Sequence, residues 1–99
     1  MIESLYLNTE EEMEQWFVNS EYEFTKKVVD SIISNCKKPK ELDIIKFFIK
    51  ERNINYLITV DPEDYVETLE QKIDILEENE DYERCSLALD AIRYLKNGI

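Results

Sequence analysis

The pattern that most constrains this chain is the spacing of apolar residues after Asp61 and Pro62. Asp61 is a favourable helix cap, and Pro62 suits the first helical position, where an N–H would have no partner. Apolar residues then recur at steps of three and four on both sides of the polar run 77–81: Val66, Leu69, Ile73, Leu76, Tyr82, Cys85, Leu89 and Ile92. Two amphipathic segments with a polar turn predict an antiparallel helical hairpin over 61–97.

Helix signals also mark the preceding part of the chain. Thr9 and Glu12 form a capping box, and apolar residues follow at helical spacing. We expect a break near Asn19–Ser20 and an end before Pro39, because proline disfavours helix in the residue before it. The broad apolar stripe that follows predicts another helix over Pro39–Arg52 with neighbours on two sides.

One segment does not fit a helix. Residues 54–60 (INYLITV) are rich in β-branched and aromatic residues, which are typical of strands. A single strand without a partner is unstable, so we expect an extended connector over 53–60. The predicted fold is therefore a single all-α domain over 1–99 with four to five helices, in which helices over 9–52 and the connector precede the hairpin.

Composition narrows the chemistry. The chain has 23 acidic and 12 basic residues, a net charge of −11, one glycine and no histidine. Histidine, the commonest general base and metal ligand, is therefore missing, and the single glycine excludes a glycine-rich phosphate loop. Cys36 and Cys85 lie in no CxxC motif, so we expect free thiols in a cytoplasmic protein. We expect no catalytic residue and no cofactor. We expect no metal ion, because the acidic runs lack the spacing of a calcium-binding loop. We expect no membrane span, because no apolar run is long enough to cross a membrane.

Part of the hairpin carries a family pattern. Its residues are Leu69, Ile73, Asn79, Asp81-Tyr82-Glu83, Cys85-Ser86, Asp90, Ile92 and Leu95. The stretch 69–96 resembles a UVR motif, the helical hairpin of bacterial excision-repair nuclease proteins and of some Clp partner proteins. Cys85 and Ser86 stand where that family usually has alanines, and Ala88-Leu89-Asp90 lacks its usual arginine. The resemblance implies a bacterial or phage source and a hairpin that docks on another protein or a second copy; otherwise the hairpin closes on the preceding helices.

These observations predict a non-catalytic, acidic protein–protein interaction or adaptor module with a regulatory role. Exposed aromatic side chains carry interface energy, and an acidic helix face steers basic partners. The candidate partner-binding residues are the aromatic residues Tyr6, Trp16, Tyr82 and Tyr94 and the acidic residues Glu67, Glu70, Asp74 and Glu77. For each aromatic residue, packing in the core is the alternative.

A second hypothesis belongs to another class. Rows of carboxylates can imitate DNA phosphates, so the chain could be an acidic DNA-mimic inhibitor of a nucleic-acid-binding protein. Direct nucleic-acid binding is not expected, although bases cluster over 24–60, because the net negative charge repels phosphates. Those bases suit internal pairing or association with a second copy as a homodimer.

Overall fold

A mixed sheet and four helices form the fold. The computed structural model describes residues 2–98, so Met1 and Ile99, the ends of the predicted domain, lie outside the described residues. The elements are β1 (Glu3–Leu7), α1 (Glu10–Asn19), α2 (Glu21–Asn35), β2 (Leu42–Ile49), β3 (Ile54–Val60), α3 (Tyr65–Glu78) and α4 (Tyr82–Asn97). The strand order is β1-β2-β3, with β1 parallel and β3 antiparallel to the central β2. The fold is therefore α/β, and the all-α prediction is wrong.

The helix predicted over Pro39–Arg52 is replaced by β2. The apolar residues that fit a broad helix stripe also lie on both faces of a strand, which is typical of a central strand. Ile45, Phe47 and Ile49 alternate toward the core and are at most 1% exposed. The pairing with β3 is irregular between Asp43 and Ile45, which marks a β-bulge.

The prediction of an extended connector over 53–60 is also wrong, because β3 pairs with β2 from Ile54 to Val60. Its partner strand is β2, the segment in which the apolar stripe predicts a helix. A short 3₁₀ turn at Lys50–Arg52 joins the two strands and ends at Asn53, whose φ of 50° lies in the left-handed region that asparagine tolerates. The parallel partner β1 was not predicted at all.

The core lies between the sheet and the helices. Helix α2 contacts β2 as well as α3 and α4, and its Val28, Val29 and Ile32 are at most 1% exposed. On α1, Trp16 packs edge-on against Phe47 of β2, with ring centroids 5.3 Å apart. The opposite face of the sheet is uncovered in the described residues, because its side chains at Tyr6 and Leu57 are exposed.

The predicted hairpin is present, with a turn between α3 and α4. Asp81 caps α4 by accepting a hydrogen bond from the Arg84 backbone N–H. The seam differs from the predicted one, because Tyr82 and Leu89 are 64% and 50% exposed while Ala88 faces inward. None of the helices in the described part of the chain has the length and apolar character to cross a membrane.

Candidate functional site

An apolar row lies on the solvent side of α4. Tyr82, Leu89 and Lys96 are seven residues apart, so they follow one another along one stripe of the helix. Tyr82 and Leu89 are among the most exposed large apolar side chains of the described residues. These two side chains are the candidate apolar anchors of this stripe.

A carboxylate row on α3 runs beside this stripe. The Lys96 ammonium lies 3.6 Å from a Glu70 carboxylate oxygen, which fixes the two stripes side by side. Because the helices are antiparallel and α4 begins directly after the turn, Glu77 in the last turn of α3 lies level with Tyr82, and Glu70 lies level with Leu89. The exposed carboxylates of this row fall within an arc of about 80° on α3; they are Glu67, Glu70, Asp74 and Glu77. We call this row, together with Tyr82 and Leu89, the acidic hairpin face.

The turn end of the hairpin is fastened to α2 by a polar network. The Tyr22 hydroxyl donates to Asp81 Oδ2 at 2.8 Å, and Arg84 donates to the same oxygen at 2.9 Å. Arg84 also donates to both oxygens of Asp30 on α2, at 2.9 and 2.8 Å. A bidentate guanidinium–carboxylate pair holds its geometry well, so the network fixes the orientation of the hairpin.

The network also shifts the titration of its members. Desolvation raises the pKa of Asp81, but the hydrogen bonds from Tyr22 and Arg84 outweigh it and leave that pKa below its ordinary value. The hydrogen bond to Asp81 raises the pKa of the Tyr22 hydroxyl. Burial, with the nearby charges of Glu77 and Asp81, raises the pKa of the Cys85 thiol, so this thiol is a poor nucleophile.

The other predicted aromatic residues lie apart from the acidic hairpin face. Tyr6 is 77% exposed on the uncovered face of the sheet. Trp16 is half-buried and packs against Phe47, so most of its surface serves the core. Tyr94 lines a separate depression with Ile33 and other residues between α2 and α4. The structure thus places Tyr82 at the turn end of the carboxylate row, about 15 Å along α3 from Glu67, and separates Tyr6, Trp16 and Tyr94 from the row.

Sequence reasoning missed two residues of the uncovered sheet face. Phe48 stacks on Tyr6, with ring centroids 4.7 Å apart and planes within 6°. Leu57 is 48% exposed in the neighbouring strand. The alternation of polar and apolar residues in 54–60 was the available signal, but it indicates a two-sided strand only when a partner strand is recognised.

Metal binding and thiol chemistry are the remaining candidate activities. No group of three or more cysteine, aspartate or glutamate side chains between residues 2 and 98 is arranged to hold a metal ion. Both cysteines are free thiols, and Cys36 is partly exposed while Cys85 is buried. Comparisons with protein-family models, with curated proteins and with solved structures find no match to this chain.

Proposed function

We propose that this protein is a non-catalytic interaction or adaptor module that binds a basic, amphipathic helix of another protein on the acidic hairpin face. The observation that carries the proposal is the apolar row at Tyr82 and Leu89 lying beside an exposed carboxylate row. A helix with apolar residues one heptad apart and lysines or arginines beside them would match both rows. Burial of the apolar row would supply affinity, and the carboxylates would steer the encounter and select the partner.

The resemblance of 69–96 to a UVR motif supports the same proposal, since that motif is a protein-docking hairpin in its family. A bacterial or phage source and a cytoplasmic location belong to this proposal. The family's usual arginine is absent at Ala88-Leu89-Asp90, and an exposed leucine occupies part of that position. We therefore infer that apolar contact contributes more here than in a hairpin that relies on that arginine.

The DNA-mimic hypothesis is the second candidate, and the exposed row on α3 favours it. Four carboxylates from Glu67 to Glu77 span about 15 Å of helix, or one charge per about 5 Å. One strand of duplex DNA carries a phosphate every about 3.4 Å, so the row alone is a sparse imitation. Phosphate mimicry also gives no role to the exposed apolar side chains of Tyr82 and Leu89. The interaction module does give them a role, so we favour it over the DNA mimic.

A designed helical peptide tests the proposal. The probe is a fluorescein-labelled peptide with leucines one heptad apart and lysines elsewhere, and the control peptide has glutamates in place of lysines. We expect fluorescence anisotropy to show saturable binding of the basic peptide only. Tyr82→Ala and Leu89→Ala should each weaken binding about fivefold or more, as truncation of interface anchors does.

The matched control is Tyr6→Ala, which removes an aromatic side chain of similar exposure far from the hairpin. It should leave the affinity for the helical peptide within about twofold. Binding that falls with salt but is unchanged by Tyr82→Ala and Leu89→Ala would be purely electrostatic. That result would contradict the interaction module and support mimicry of phosphates.

A further inference from the structure

The edge of the sheet at β1 is open to another strand. β1 lies at the end of the strand order and pairs only with β2. Within residues 2–98, no other element forms a backbone hydrogen bond with Glu3–Leu7. The edge has no proline and only one charged side chain, Glu3. Such an edge presents unpaired N–H and C=O groups, which are the template for strand addition.

A channel runs along this edge between β1 and the helices. One depression, of about 550 Å³, extends from Leu7 to Gln15 and Asn19 of α1. A second, of about 420 Å³, begins at Glu3, runs along α2 as far as Asp30 and reaches Arg84 of α4. Both are lined by Trp16 and Ser20, so the two depressions adjoin, and they reach the two ends of β1 at Leu7 and Glu3. An added strand would send every second side chain into this channel.

On the other face of the sheet, the same edge strand carries the exposed aromatic ring of Tyr6. The Tyr6 and Phe48 ring centroids are 4.7 Å apart, which matches the spacing of neighbouring strands. Tyr6 belongs to the edge strand and is 77% exposed, so the ring face turned away from Phe48 is free for contact. A strand beside β1 would bring its own side chain to the same spacing, and an aromatic one would extend the stack.

The charges around the channel indicate the chemistry of the added strand. Helix α1 carries four glutamates and no basic residue. Glu11 and Glu12 are the only charged residues that line the larger depression. The smaller depression is lined by three acidic and three basic residues, so its charges balance and the acidic excess of the channel comes from α1. A second copy would bring two such helices together in a chain of net charge −11, which is unfavourable. A basic strand would be attracted by the same charges.

We propose that the β1 edge binds an extended, basic segment of a partner protein as a fourth strand. An aromatic side chain of that segment stacks on Tyr6, and its neighbours on the opposite face enter the channel at Trp16. The proposal rests on observations independent of the acidic hairpin face. Together the two surfaces would give an adaptor one site for a helix and another for a strand.

An extended peptide tests this proposal with the full chain. The probe has about eight residues, the length of a typical strand, with one phenylalanine between two valines and lysines or arginines at both ends. Trp16 is the only tryptophan, so its emission reports occupancy of the channel. We expect a saturable change that weakens in about 0.5 M salt. A peptide with glutamates at its ends should bind about tenfold more weakly, and equal binding would overturn the proposal.

N-methylation of the peptide distinguishes strand pairing from general adhesion. A strand added at one edge donates only every second N–H to it. Methylation of one alternate set should therefore weaken binding about tenfold or more, while methylation of the other set should leave it within about threefold. Equal loss with both sets, or loss with neither, would overturn the proposal.

A pair of variants locates the site. Tyr6→Ala should weaken binding of the extended peptide about threefold to tenfold, the range expected for an aromatic pair, whereas Tyr82→Ala should leave it unchanged. Equal urea midpoints for both variants and the native chain would establish that folding is intact. Equal affinities of the two variants would contradict the assignment of Tyr6. A dimer in sedimentation equilibrium that dissociates in Tyr6→Ala would identify a second copy as the occupant and overturn the proposal.

Discussion

Replacement of Asp81 by alanine should destabilise the protein far more than replacement of an exposed carboxylate on the same helix. The Asp81 side chain is only 9% exposed, although it lies at a helix start. It accepts hydrogen bonds from the Tyr22 hydroxyl, the Arg84 guanidinium and the Arg84 backbone N–H. Asp81→Ala removes all three and leaves one Arg84 donor without its partner.

The expected loss follows from these contacts. Removal of a helix cap costs about 1 kcal/mol, and a hydrogen bond to a charged group contributes about 1.5–3 kcal/mol. Because the bonds to Asp81 share one carboxylate, their energies overlap, and we expect the free energy of unfolding to fall by about 3 kcal/mol. For a chain of this size, the melting temperature should fall by about 12 °C.

Urea unfolding at neutral pH, followed by Trp16 fluorescence and by circular dichroism, measures the loss. The matched control is Asp90→Ala, because Asp90 pairs with Arg93 on the same helix and both side chains are about two-thirds exposed. An exposed pair of this kind contributes less than about 0.5 kcal/mol. A loss at Asp81 equal to the loss at Asp90 would refute the reasoning.

The pH dependence gives a second check. The pKa of Asp81 is lower in the folded protein than its ordinary value of about 3.9. Its stabilising contribution is therefore fully present above about pH 4 and is lost as the pH falls through the lowered pKa. The difference in stability between the native chain and Asp81→Ala should narrow below about pH 4, and a difference that stays constant down to about pH 2 would contradict the ion pair.

Three further predictions concern other parts of the fold. Tyr65→Phe should lower the free energy of unfolding in urea by about 1–2 kcal/mol, because the buried Tyr65 hydroxyl donates to the Lys40 carbonyl at 2.5 Å; an unchanged midpoint would contradict this. Alkylation under native conditions, followed by mass spectrometry, should label Cys36 before Cys85, whose burial raises its pKa; preferential labelling of Cys85 would refute the burial. Asn53→Gly should leave thermal stability nearly unchanged, while Asn53→Val should cost about 1–2 kcal/mol because of the left-handed backbone; equal melting temperatures would contradict the turn.

The hairpin was predictable because its signals are local. A proline at a helix start, apolar residues at steps of three and four, and a polar turn lie within forty residues. The prediction of the inward face of α4 was less accurate, because Ala88 faces the seam while Leu89 faces water. Apolarity alone predicts that leucine faces the seam. A small residue at the seam lets two helices approach closely, and whether a small residue is favoured there depends on the neighbouring helix.

The sheet could not be predicted because each of its strands depends on another. Residues 42–49 are apolar almost throughout, and this pattern fits a broad helix stripe as well as a central strand. When residues 42–49 are interpreted as a helix, residues 54–60 have no partner strand, so their strand signal predicts only a connector. β1 has only five residues and pairs in parallel with a strand far along the chain. No local signal specifies such a pairing.

The candidate surfaces divide in the same way. The carboxylate row on α3 follows from helical spacing alone, so its position on one face was predictable. The contact of Tyr6 with Phe48 depends on the register of β1 and β2, which sets Tyr6 directly beside Phe48. The channel at Trp16 depends further on where α1 lies relative to the edge strand, and this follows from the packed fold alone.

The parallel pairing of β1 with β2 also has a consequence for synthesis. About forty residues separate Glu3 from its partner Ile45. At about 5–20 residues per second, the ribosome takes about 2–8 s to add them. During that interval the nascent chain carries Leu5 and Tyr6 without the strand that later covers one side of them. A chaperone or a binding partner that recognises extended chains would meet β1 before the rest of the sheet exists.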